Sequence, residues 1–190
     1  MVKRALTARE GRVSQTKARY RYPDYPGSIE ERVGEGRDPS PQTYVYLIGS
    51  LRNPEVPMIA EALRAAGLEV VDDWFTAGPN ADDIWQEYEV QRGRSYVEAL
   101  DGLHAGHVFN FDKYHLDRCD GVVMVLPCGK SGHMEFGYVR GQGKWGLILL
   151  ADPTTTTRAR WDVMYKFASE VCTSVDDLVE SAVNWGEVPF

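Results

Sequence analysis

Two short segments concentrate the residue types that bind and cleave small molecules. The first reads Gly49-Ser50-Leu51-Arg52-Asn53 and lies between an apolar run and a helical pattern. Backbone N–H groups at a strand-to-helix junction, the Ser50 hydroxyl and the permanent charge of Arg52 would together attract an anion; the plain alternative is a tight turn with a solvated arginine. The second reads Pro127-Cys128-Gly129-Lys130-Ser131-Gly132-His133-Met134-Glu135-Phe136-Gly137-Tyr138. Glu135 is expected in the first turn of a helix, where a carboxylate either faces a bound sugar or simply complements the helix dipole. Upstream, Asp112, Asp117 and Asp120 lead into a further apolar run. Asp112 and Asp120 stand eight residues apart, about 2.2 helical turns, so a helix there would set both carboxylates near one face. Otherwise they are solvated acids.

Several other chemistries are excluded by spacing. Gly129-Lys130-Ser131 copies the end of a phosphate-binding P-loop, but Met124 stands where the loop's first glycine is required. His133-Met134-Glu135 copies the H-x-E of zinc deaminases, yet Pro127-Cys128 precedes it instead of following, and Ser131 replaces the second cysteine. His104, His107, His115 and His133 show no ligand spacing, so no metal and no cofactor is expected. Cys119, Cys128 and Cys172 form no C-x-x-C and read as free thiols.

The elements that must position these residues follow from periodicity. Short apolar runs at Tyr44–Ile48, Val70–Val71, Gly121–Leu126, Trp145–Leu150 and Glu170–Cys172 read as strands. Helices are expected over Pro54–Gly67, Asp82–Leu100, Phe109–Cys119, Gly132–Gln142, Trp161–Ala168 and Val175–Val183, the last capped by Ser174. Apolar strands alternating with helices predict an α/β domain, a flavodoxin-like doubly wound, mostly parallel five-stranded sheet with helices on both faces. In such sheets the ligand sits beyond the carboxyl ends of the strands where the strand order reverses. That rule selects the loops Gly49–Asn53 and Pro127–His133.

Length and charge narrow the partners. The chain has 190 residues and a net charge of −7, which suits one domain and disfavours a nucleic-acid polymer, whose binding depends on Lys and Arg neutralising phosphates. Residues 1–22 carry seven basic residues against one acid, and Tyr22–Pro41 holds four prolines and three glycines. Residues 1–41 are therefore read as an N-terminal extension and 42–190 as the domain. No apolar run approaches the roughly 20 residues of a membrane helix and no secretory signal is evident, so a cytoplasmic protein with a small-molecule ligand and no membrane partner is expected.

Taken in order, Tyr46-Leu47-Ile48-Gly49-Ser50-Leu51-Arg52, then Asp112, then Cys119-Asp120-Gly121-Val122-Val123, then Ser131 to Tyr138 followed by Gly141-Gln142-Gly143-Lys144, the chain resembles the nucleoside 2-deoxyribosyltransferase-like family, including its nucleoside 5′-monophosphate N-hydrolases. The resemblance covers roughly residues 44–150. It implies cleavage of an N-glycosidic bond, by hydrolysis or by transfer of the sugar to another base. It further implies Glu135 as nucleophile, Asp112 as the group assisting departure of the base, Ser50, Arg52 and Ser131 as contacts to sugar or phosphate, and Asp120 as the aspartate that opens the third strand; Gly49, Asp120 and Gly132 are expected to join them in binding substrate. A homo-oligomer is also implied. The segment Trp74–His107 is longer than in the compact hydrolases. Two other readings share the layout: a TIR-like NAD glycohydrolase, and a noncatalytic nucleotide sensor using the same cleft.

Overall fold

A computed structural model of the chain describes residues 42–150 and 162–187. The extension expected at 1–41, and Trp161, lie outside the described residues. The elements run β1 (Tyr44–Ile48), α1 (Val56–Ala65), β2 (Glu69–Val71), a 3₁₀ turn (Asp73–Ala77), α2 (Ala81–Gln91), α3 (Tyr96–Leu100), α4 (Leu103–Arg118) and β3 (Gly121–Leu126). They continue with α5 (Lys130–Arg140), β4 (Trp145–Leu150), a second 3₁₀ turn (Val163–Phe167), β5 (Glu170–Cys172) and α6 (Val175–Gly186).

The five strands form one all-parallel sheet in the order β2-β1-β3-β4-β5. Its fold is flavodoxin-like α/β, and the order reverses between β1 and β3. Side chains alternate across the sheet as the two-residue period of a strand requires. Val45 and Leu47 of β1 pack with Val56, Ile59 and Leu63 of α1 and Leu178 and Ala182 of α6. Tyr44, Tyr46 and Ile48 point the other way, toward Leu116 of α4 and Phe136 and Val139 of α5. Both faces are thus covered, and this is why the strands read as unbroken apolar runs.

Three helices differ from the sequence expectation. The single helix expected over Asp82–Leu100 is broken at Gly93, whose φ of +71° only glycine adopts readily, and restarts at Ser95 in a capping box with Glu98. The helix expected from Phe109 starts at Leu103; its first turns lack the apolar stripe by which a helix on a sheet is recognised. The segment expected to be helical up to Ala168 is only a 3₁₀ turn, Val163–Phe167. Ser174 caps α6 as expected, its Oγ accepting from the Asp177 N–H at 3.1 Å.

Among the described residues no helix is long and apolar enough to cross a membrane.

Candidate functional site

Both selected loops lie at the carboxyl edge of the sheet, on either side of the β1/β3 reversal. The β3 loop leads directly into α5, which begins at Lys130, two residues earlier than expected. Glu135 is therefore the sixth residue of α5 and lies in its second turn. A helix dipole acts mainly within the first turn, so dipole complementation does not account for this carboxyl. Ser131 and Glu135 stand at i and i+4 on one stripe of the helix. Gly132 lets that stripe approach the sheet: a Cβ there would lie 2.8 Å from Ile48 Cγ2 and 3.2 Å from Cys128 Sγ.

α4 brings the second carboxyl. It runs antiparallel to β1 and is held by two tyrosines of that strand. Tyr44 Oη lies 2.5 Å from His115 Nδ1, and the Tyr46 hydroxyl donates to Asp112 Oδ1 at 2.9 Å. The i, i+2 spacing on the strand meets the i, i+3 spacing on the helix, so the pair fixes both the tilt and the register of α4.

Burial and mutual repulsion then set the electrostatics. Burial, with the Asp112 charge adding to it, pushes Glu135 up to about 7. Burial also raises Asp112, against the hydrogen bond from Tyr46, which favours the ionised form. Tyr46 is 2% exposed and raised by burial and by both carboxylates, so its hydroxyl stays a donor at any ordinary pH. Cys128, at the same loop, is pushed up to about 11 by burial and by Glu135. Its neutral thiol is a wall of the site and no nucleophile. Two carboxyls with raised values, a locked donor between strand and helix, and a helix N-terminus make an arrangement suited to acid–base and nucleophilic work.

The other expected contacts divide. Ser131 and Gly132 join the site, and the amides of Lys130, Ser131 and Gly132 open α5 with no side-chain cap and no partner among the described residues. The first loop is less available to an anion than its sequence suggested. Arg52 N–H donates to Ser50 Oγ at 3.2 Å, Asn53 N–H to Ser50 O at 2.9 Å, Glu55 N–H to Asn53 Oδ1 at 3.0 Å and Val56 N–H to Asn53 O at 3.3 Å. Pro54 and Pro57 have no N–H to offer. The Arg52 guanidinium is paired with Asp83 at 2.7 Å, both side chains 58% exposed. Gly49 is required by packing, since a Cβ would meet Val56 at 2.7 Å and the Trp74 ring at 3.4 Å.

Asp120 is not brought to this edge. α4 ends at Arg118, so Asp112 and Asp120 do not share a helix face. Asp120 precedes β3 at the amino edge of the sheet, where its carboxylate accepts the Tyr44 N–H at 2.7 Å and its own N–H donates to Tyr44 O at 2.7 Å. It closes the β1/β3 ladder.

Sequence reading missed Tyr46, Trp74 and the pair His133–Tyr165. Tyr46 looked like any apolar strand residue; its position two residues after Tyr44 was the available signal. The Trp74 indole donates to Leu47 O at 2.8 Å beside Gly49, a contact that only the chain reversal creates. His133 Nδ1 lies 2.8 Å from Gly129 O and its Nε2 lies 3.1 Å from the Tyr165 hydroxyl. Two hollows elsewhere, one of about 340 Å³ along β5 and α6 and one of about 310 Å³ between α2 and α3, contain neither carboxyl. Among the described residues no group of three or more His, Cys, Asp or Glu side chains could hold a metal ion.

The Tyr46 contact is open to test. Tyr46→Phe removes the donor that stabilises ionised Asp112, so the Asp112 value should rise further. If the carboxyl pair is catalytic, turnover should fall about tenfold, the scale of one lost buried hydrogen bond, with little change in KM. A pH–rate profile identical to wild type would show that Tyr46 only fills space.

What fold and site define is a flavodoxin-like α/β domain with a carboxyl pair at its switch point. No family model matches the chain, and no curated protein matches it either.

Proposed function

We propose that this chain cleaves the N-glycosidic bond of a nucleoside, deoxynucleoside or nucleoside 5′-monophosphate, with Glu135 as nucleophile and Asp112 assisting the leaving base. The observation that supports it most directly is the pairing of two raised carboxyls, Glu135 on α5 and Asp112 on α4, at the reversal point of the sheet. Glycosidic cleavage passes through an oxocarbenium-like state. An ionised Glu135 beside the anomeric carbon forms a glycosyl ester as the C–N bond breaks, and the electron pair leaves with the base. Asp112 supplies the proton that makes the base a better leaving group. Water then attacks the ester to give hydrolysis, or a second base attacks it to give transfer.

Because the two carboxyls interact, their titration belongs to the pair. Below about 7 the pair retains the proton of Glu135, and a base nitrogen set against Asp112 selects the microstate with that proton on Asp112. The higher value of Glu135 favours a second reading, in which Glu135 is the acid and Asp112 the nucleophile. A slowly released 2-fluoro-arabinosyl nucleoside separates them. Digestion and mass spectrometry should find the sugar on Glu135; sugar on Asp112 reverses the roles. Release of free base from deoxynucleosides or their monophosphates tests the activity itself. Turnover of NAD alone would favour the TIR-like reading, and tight binding without release of base would favour a sensor.

A 5′-phosphate is expected to improve catalysis through α5. The free amides of its first turn and the Ser131 hydroxyl share a helix stripe with Glu135, so an anion bound there places the sugar one turn away from the nucleophile. Arg52 must first leave Asp83, an exposed pair worth only about 0–1 kcal/mol. Specificity constants for a matched nucleoside and its monophosphate should differ by about tenfold or more. Ser131→Val should reduce that ratio more than Arg52→Ala does. Equal constants for the two substrates would remove the phosphate from the proposal.

A further inference from the structure

Asp112 and Glu135 stand on different helices, so the distance between them depends on how α4 and α5 lie side by side. Phe136 and Val139 hold α5 against the sheet by apolar contact, which is non-directional and does little to fix a helix sideways. On one flank α5 is tied to the second 3₁₀ turn, where Arg140 Nε donates to Phe167 O at 2.7 Å and His133 meets Tyr165.

On the flank toward α4 a triangle of side chains supplies directional contact. The Tyr138 hydroxyl donates to Asp117 Oδ1 at 2.5 Å, and Lys113 Nζ donates to Asp117 Oδ2 at 2.5 Å and to Tyr138 Oη at 2.9 Å. The ammonium also lies 5.1 Å from the centre of the Tyr138 ring. Tyr138 follows Glu135 at i, i+3 on α5 and Lys113 follows Asp112 directly on α4, so the triangle lies within about one helical turn of the carboxyl pair. Lys144, between α5 and β4, donates to Leu116 O at 3.1 Å and to Asp117 O at 2.8 Å, which holds the end of α4 that carries Asp117.

We propose that Tyr138 is a positioning residue, whose hydroxyl, joining α5 to Asp117 and Lys113 of α4, sets the separation at which Asp112 and Glu135 face each other; its effect on turnover rests on the reading of that pair as catalytic. Tyr138 spends its one donor on Asp117 and accepts from Lys113, and both Asp117 oxygens are engaged. Neither helix can then slide or turn without breaking a charge-assisted bond. The triangle also stays charged where Glu135 titrates. Burial disfavours the Asp117 anion, but the bonds from Lys113 and Tyr138 outweigh it and hold the carboxyl below its ordinary range, while the bond to Asp117, with that to Tyr138, raises Lys113. All three side chains are half-exposed, so they contribute little to overall stability and their loss acts mainly on geometry.

Without the hydroxyl, α5 keeps its tie to the 3₁₀ turn and α4 its ties to β1 through Tyr44 and Tyr46, so the gap between the carboxyls widens. Both causes of the raised Glu135 value then weaken: water reaches the group more easily, and the Asp112 charge is farther away. The titratable groups that face Glu135, namely Asp112 of α4, Tyr46 of β1 and Cys128 of the β3 loop, are all left in place.

The test is Tyr138→Phe, which keeps the ring and removes the hydroxyl. NMR titration of isotope-labelled side-chain carboxyls, with Glu135 assigned by its loss in Glu135→Gln, should show the midpoint at Glu135 lowered from about 7 to about 6.5 or below. In the proposed reaction kcat should fall about tenfold with KM within about twofold, and the pH at which kcat/KM declines should move down with the midpoint. Asp117→Asn should reproduce both changes, and the double variant should change no more than either single one. Should Tyr138→Phe fail to fold, Asp117→Asn carries the same titration. A midpoint that stays in place or rises overturns the proposal, as does kcat at the wild-type value; a lowered melting temperature alone would mark the triangle as merely structural. The titration needs no turnover, so a shifted midpoint in a protein that releases no base supports the role of Tyr138 and removes the proposed reaction instead.

Discussion

Glu135→Gln is expected to lower kcat/KM by about 10³-fold or more, about 4 kcal/mol of barrier, and at the same time to make the protein more stable at pH 8. The loss follows from replacing the proposed nucleophile by a group that can neither attack nor carry charge. The gain follows from linkage. Burial and Asp112 raise Glu135 from its ordinary value of 4.5 to about 7, so the native state holds a proton that the unfolded chain has lost. Stability therefore falls as pH rises through that window, because the native state binds more protons there. Glutamine removes this penalty. The difference in melting temperature between variant and wild type should open between pH 4.5 and 7 and level off above. Its pH dependence should disappear below pH 4.5. Wild-type kcat/KM should fall as pH rises through about 7, where the carboxyl pair loses the proton that Asp112 must hold for the base to leave. Activity within a few-fold of wild type would remove Glu135 from the mechanism. A loss of both activity and stability at every pH would mean that its role is structural.

Gly121→Ala should be among the most damaging single-methyl changes in the sheet. Gly121 opens β3 and pairs in register with Trp145 at the start of β4. A Cβ at Gly121 would stand 2.1 Å from Cδ2 and Cε2 of the Trp145 indole, which is 1% exposed and enclosed by the α1/α6 core. Neither ring nor strand can yield by the required distance without breaking the ladder, so the cost should reach about 3 kcal/mol. For a domain of this size that lowers the melting temperature by on the order of 10 °C. The Trp145 indole N–H has no partner among the described residues. Trp145→Leu therefore sacrifices no hydrogen bond, and in combination with Gly121→Ala it should recover part of the loss. Two independent, additive losses would show that the two residues are not in contact.

The order of elements, the parallel sheet and the two edge loops were legible in the sequence because each rests on short-range physics. Apolar strands of five or six residues, a serine before a helix and a glycine after one are local signals, and the reversal rule converts their order into a location for a site. Glu135 and Asp112 were singled out by the resemblance of their segments to a known family; spacing alone left the first as a possible dipole partner and the second as a solvated acid. What the sequence did not determine was how each polar group would spend its hydrogen bonds. Asp120 was one of three similar aspartates until folding set it at the amino edge against Tyr44, and Arg52 was a free cation until α2 brought Asp83 within 2.7 Å. Tyr46 became a partner of Asp112 only when α4 docked antiparallel to β1 with a separation of 66 residues along the chain. Burial, which raises both carboxyls, is likewise a sum over elements distant in sequence. The sequence by itself determined which two loops stand at the carboxyl edge of the sheet; only tertiary structure decided which residues reach that edge and remain free to act there, because satisfied hydrogen bonds and desolvation depend on neighbours that no local pattern encodes.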